Sequence, residues 1–159
     1  MAANGSSANG SATFTIPLII DNKPVSSAEK FSVYNPATGA HLHDCSSASL
    51  SDADAAVESA QRAFKSWRKT SVATRRDILL KAATLFEERK EELIKHMMEE
   101  TGAIYPWGEF NIYTSIDFLK DVAGRISSLK GFVPNVAGED EAAMVLTEPY
   151  GVILGIAPW

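Results

Sequence analysis

Short apolar runs broken by turn residues open the patterned part of the chain, and amphipathic helical stripes follow them. Positions 16–20 and 31–34 read as short strands. The first is closed by Asp21-Asn22-Lys23-Pro24 and the second by Asn35-Pro36-Ala37-Thr38-Gly39, where Pro36 sets φ and Gly39 permits a positive φ. Ser49 with Asp52 resembles a capping box, and beyond it Ala53, Ala56, Val57, Ala60, Ala63, Phe64 and Trp67 recur at helical spacing, predicting one amphipathic helix. A second helix begins near Ser71 or Thr74 and carries Ile78, Leu79, Ala82, Leu85 and Phe86 on one face. Its stripe continues through Leu93, Ile94, Met97 and Met98, either unbroken or as a separate helix starting near Lys90, with Gly102 as a stop. A third helical segment over 109–129 follows from Ile112, Ile116, Leu119, Ala123 and Ile126, with Gly131 behind it. Positions 132–136 and 142–147 flank a polar turn, the pattern of a hairpin. The run 151–157 is apolar on both faces, which predicts a strand buried in the middle of a parallel sheet.

This mixture predicts an α/β fold, within the size of one ordinary domain at 159 residues. Residues 1–13 are almost entirely Ala, Asn, Gly and Ser, too poor in apolar surface to offset the entropy of ordering them, so a flexible tail is expected. A parallel strand at 151–157 needs neighbours brought in by crossover helices, and nothing follows Trp159 to supply them, so the sheet reads as unfinished. The net charge of −5 shows no concentrated basic face, which argues against a nucleic-acid partner. No apolar run is long enough to span a membrane, and residues 1–13 lack the features of a secretion signal. A soluble, cytoplasmic protein is expected, in agreement with a lone Cys45.

Few residues offer chemistry by themselves. Cys45 is the one thiol, and His43 shares its face on an extended segment, but an incidental Cys is the favoured reading. His41 and His43 form an H-x-H pair with no evident further ligands, since His96 sits on a separate helix and Asp44 alternates to the opposite face; no metal site is expected. The run 87–100 of Glu, Lys and Arg reads as a solvated helix face with ion pairs, Met97-Met98 as core filling, and Ser49, Ser51, Ser71 and Thr74 as capping residues. No G-x-G-x-x-G, P-loop or H-E-x-x-H occurs in the chain.

Several segments in order do carry a resemblance. Asn35-Pro36-Ala37-Thr38-Gly39, the helix from Asp52 to Trp67, Arg75-Arg76-Asp77-Ile78-Leu79, Glu100-Thr101-Gly102 and the run from Glu148-Pro149-Tyr150-Gly151 to Ala157-Pro158-Trp159 together resemble the amino-terminal part of the NAD(P)-dependent aldehyde dehydrogenase superfamily. The stretch from Glu100 to Trp107 is most similar to the salicylaldehyde and benzaldehyde dehydrogenase branch. The resemblance covers everything but the tail. It implies an incomplete Rossmann-like cofactor domain at 14–159, with three or four amphipathic helices, an oligomerisation-type hairpin at 131–148 and the first core strand at 151–159.

By the same resemblance, the intact family binds NAD or NADP, oxidises an aldehyde to the carboxylic acid and forms homo-oligomers. Ile156, Ala157 and Trp159 are expected to border the cofactor, and Trp107, Phe110 and Tyr113 to line part of an aromatic substrate pocket. The family's nucleophilic Cys, its Glu base, its oxyanion Asn and its phosphate-binding turn have no counterpart in these residues, so no catalytic residue is assigned and the chain alone is expected to be inactive, binding no cofactor by itself. The alternative is a non-catalytic module that pairs with a full-length relative through its hairpin and exposed strand.

Overall fold

The computed structural model describes residues 14–157; the expected tail at 1–13 and the expected cofactor contact Trp159 lie outside the described residues. The order of elements is five short strands followed by four helices. β1 (Thr15–Ile16) pairs parallel with β5 (His41–Ser46), and β5 pairs antiparallel with β4 (Lys30–Tyr34), giving the sheet order β1-β5-β4. β2 (Leu18–Ile20) and β3 (Lys23–Val25) make a separate antiparallel ribbon.

The expected single strand at 16–20 is thus two. Pro17 divides it, since a proline nitrogen has no proton to give a ladder. The turn is also tighter than expected: Asp21 and Asn22 both take positive φ, 56° and 58°, the form that a two-residue hairpin requires. Pro24 therefore lies inside β3, tolerated at the pair with Ile19 because that position exchanges no ladder hydrogen bonds next to so tight a turn.

Among the described residues the buried hydrophobic side chains all lie on helices. α1 is Leu50–Trp67, and its capping box is present in full: Asp52 N–H donates to Ser49 Oγ at 3.2 Å and Ser49 N–H to Asp52 Oδ2 at 2.9 Å. α2 (Val72–Glu88) and α3 (Lys90–Thr101) are separate helices, which settles the break left open near Lys90; Arg89 between them leaves helical geometry at φ −105° and ψ 18°. Gly102 ends α3 at φ 71°, in the left-handed form a glycine accepts without strain.

α4 (Tyr105–Arg125) starts four residues before the expected position because Pro106 fits the first turn, where no intrahelical N–H is needed. It closes in a single 3-10 turn at Ile126–Ser128. Ala83, Ile94, Ile112 and Ile116 from α2, α3 and α4 make the buried cluster, with Phe86, Leu93 and Leu119 packed against it. Gly108 allows a close approach of α4 to α3: a Cβ there would stand 2.9 Å from Ile94 Cγ2.

Two expected β elements are reduced. The hairpin of 132–147 keeps one antiparallel pair, with Phe132 and Val145 exchanging hydrogen bonds of 3.0 and 2.8 Å. The expected buried parallel strand at 151–157 forms no ladder among the described residues, and Ile153, Leu154 and Ile156 are 74, 82 and 85% exposed. A parallel strand exists only through its neighbours, and no described strand lies beside this one.

Candidate functional site

The aromatic residues singled out from the sequence do come together, on the outer face of the first half of α4. Trp107, Phe110 and Tyr113 are three residues apart, slightly less than one helical turn per step, so their positions wind slowly around the helix as a band. Trp107 and Phe110 stack, with centroids 5.5 Å apart and planes inclined by 27°. All three are about half exposed, so the band is neither core nor an enclosed pocket among the described residues. An open cleft of about 340 Å³ beside it, lined by Phe86, Met97, Glu100, Asn111 and Ile112, takes none of these rings.

The band is tied to α3 at one edge. Lys90 Nζ donates to Tyr113 Oη at 3.3 Å and to Glu109 Oε1 at 3.4 Å, and Tyr105 Oη donates to Glu91 Oε1 at 3.0 Å. The Tyr113 hydroxyl, and after it the Glu109 carboxylate, push the Lys90 pKa up from the ordinary lysine value, so the ammonium stays charged across the physiological range. Sequence reading missed Lys90, which looks like any other cation in a charged run. Its only signal was its position at the suspected helix break.

The rival residues fall elsewhere. Burial, followed by the charges of Glu100 and Asp44, pushes the Cys45 thiol up, the opposite of what a nucleophile needs. His43 Nε2 lies 3.5 Å from Glu100 Oε1, tying β5 to the end of α3. Contrary to the expected alternation, Asp44 reaches His41: Oδ1 is 3.0 Å from His41 Nε2. The cause is a register shift between Val33 and Tyr34, which pairs His43 with Val33 but His41 with Tyr34 and bends the strand. The His41 contact, then the Ser32 hydroxyl at 2.7 Å, hold the Asp44 carboxyl below the usual aspartate range. No group of three or more His, Cys, Asp or Glu able to hold a metal occurs among the described residues. No helix among them is long and apolar enough to cross a membrane.

Ile156 and Ala157 lie on the exposed terminal run, apart from the aromatic band in the chain. They offer apolar contact and peptide groups only. A dinucleotide also needs a phosphate cradle, and the described residues hold no glycine-rich turn leading into a helix, so by themselves they do not fit the cofactor.

Comparison with known proteins places this geometry in context. The sequence profile of the aldehyde dehydrogenase family matches residues 24–159. Vanillin dehydrogenase of Pseudomonas sp. strain HR199 is 41% identical over 150 residues, an overlap of 92% of this chain and 31% of that protein. Salicylaldehyde dehydrogenase of Pseudomonas sp. strain C18 is 29% identical over 144 residues, covering 89% of this chain and 30% of that protein. Among solved structures, a salicylaldehyde dehydrogenase from Pseudomonas putida G7 complexed with salicylaldehyde superposes with a TM-score of 0.81 at 26% identity, over 86% of this chain and 28% of that one. The chain thus spans about 30% of the length of the curated relatives it matches.

Proposed function

Because the chain belongs to the aldehyde dehydrogenase family, we propose that it serves the NAD(P)-dependent oxidation of an aromatic aldehyde to its carboxylic acid, contributing the band Trp107, Phe110 and Tyr113 to the aldehyde's ring. The observation that carries this reading is the 41% identity to a vanillin dehydrogenase across 92% of the chain. Its physical support is the band itself: stacked, half-exposed rings offer flat apolar area suited to an aryl group. Ile156, Ala157 and Trp159 would border NAD or NADP once neighbouring strands flank 151–157 and a phosphate cradle is supplied. The 159 residues alone do not turn over aldehyde in this reading, since their single thiol is held protonated and far from the band in the sequence. A cytoplasmic homo-oligomer is the setting the reading entails.

Two measurements test it. The purified 159-residue chain, incubated with vanillin and NAD or NADP, is expected to give no rise in nicotinamide absorbance; turnover abolished by Cys45→Ser would overturn that part. Reading the coding DNA past the Trp159 codon gives the longest open frame to express. In that polypeptide Trp107→Ala and Phe110→Ala are expected to raise KM for vanillin well above the effect on a short aliphatic aldehyde, and equal effects on both would remove the aromatic assignment.

A second reading, a non-catalytic module that pairs with a full-length relative, is favoured by one observation: the apolar run 151–157 stands exposed beside a hairpin held by one bridge. Co-expression with a full-length relative and co-purification would support it, and a monodisperse monomer in that mixture would count against it.

A further inference from the structure

The break at Arg89 makes Lys90 the first residue of α3, and from there its stem crosses to α4. Three groups on the two helices surround its ammonium: Tyr113 Oη at 3.3 Å, Glu109 Oε1 at 3.4 Å and Glu91 Oε1 at 3.7 Å. The same nitrogen stands 5.2 Å from the centre of the Tyr113 ring, close enough for cation–π attraction. Glu91, the next residue, holds Tyr105 by its hydroxyl. The first turn of α3 therefore grips both phenols on this edge of α4, and Tyr113 is the phenol that belongs to the aromatic band. An exposed tyrosine on a helix ordinarily samples more than one rotamer; here an ammonium with a side chain only 21% exposed meets it at both hydroxyl and ring.

We propose that Lys90 is a positioning residue, which by clamping the Tyr113 hydroxyl fixes that ring as one wall of the band, beside the exposed Phe110 ring, for a flat aryl ligand. This rests on the reading of the band as the aryl contact. Lys90 touches no ligand in this scheme; it acts through Tyr113.

The test uses the whole chain with benzyl alcohol as the probe, an aryl ring without the aldehyde that would react with lysines. Labelled-tyrosine NMR follows the Tyr113 ring, and a titration gives Kd. Lys90→Met is expected to move and average the Tyr113 ring signals and to weaken benzyl alcohol binding about threefold, with helix content unchanged. Lys90→Arg is expected to restore both, and in a Tyr113→Phe background, which keeps the ring contact and loses the hydroxyl, Lys90→Met is expected to add a clearly smaller loss. Unchanged Tyr113 ring signals in Lys90→Met overturn the proposal, as does an equal loss of binding in the Tyr113→Phe background. If Trp107→Ala and Phe110→Ala leave benzyl alcohol binding untouched, the aryl reading fails and takes the proposal with it, and Tyr113 signals still altered by Lys90→Met mark that failure as the reading's own.

Discussion

The layer of α2, α3 and α4 and the pairing of α1 with the run 151–157 have similar apolar content and opposite fates. In the first, Ile94 and Ile112 are 1 and 4% exposed. In the second, Val57 and Trp67 of α1 stay about half exposed and Leu154 is 82% exposed, with only a shallow cleft between α1 and 151–153. The difference lies in what each element requires. A helix satisfies its own backbone and needs one partner face, which a neighbour in the chain supplies; a central strand needs partners on both edges and both faces before its side chains are covered. Local sequence can complete the first kind of order and only begin the second.

The largest break in that contrast is expected from Ile112→Ala, which opens the three-helix cluster and should cost about 2–5 kcal/mol, read by chemical denaturation. Gly108→Ala attacks the same layer by overfilling: its Cβ must displace Ile94, at about 1–3 kcal/mol, and a smaller partner in Ile94→Ala/Gly108→Ala should recover part of the strain if close approach is the cause.

On the looser side, Ser49→Ala removes the cap of α1 and should cost about 1 kcal/mol. The Ser49 backbone N–H, then its hydroxyl, hold the Asp52 carboxyl below the ordinary aspartate value. A depressed carboxyl stabilises the fold above its unfolded pKa, about 3.9, and that contribution is lost as pH falls through the lower folded value. The acid limb of a circular-dichroism titration should therefore lose part of its slope in Asp52→Asn. Smallest of all, Leu154→Ser is expected to change stability by no more than about 0.5 kcal/mol, since it removes no buried contact; a loss near that of Ile112→Ala would mean that the terminal run is covered in solution.

What was legible follows the same division. The helices, the capping box at Ser49 and Asp52, the stop at Gly102 and the inward positions Ile112, Ile116 and Ala123 were readable because periodicity and caps are local facts. β5 was legible only as an extended segment and not as a sheet member, since His41–Ser46 is mostly polar and gains its place from β4 and β1 on either side. The contact of His41 with Asp44 was hidden for a related reason: the bulge that permits it is a property of the pair of strands, and alternation along one strand cannot report it. At the aromatic band, the spacing of Trp107, Phe110 and Tyr113 was visible. The clamp of Lys90 on Tyr113 was not, because it depends on how α3 crosses α4.

The parallel pairing of β1 with β5 has a consequence for how the chain comes into being. Thr15 and Ile16 leave the ribosome ahead of every other described strand, yet their seats, opposite Asp44 and Cys45, do not exist until the whole of β5 has been translated. The earliest strand made must wait as a loose end while the β2–β3 ribbon and β4 emerge, and the closing of that loop, rather than the local turns, governs when the small sheet acquires its third member.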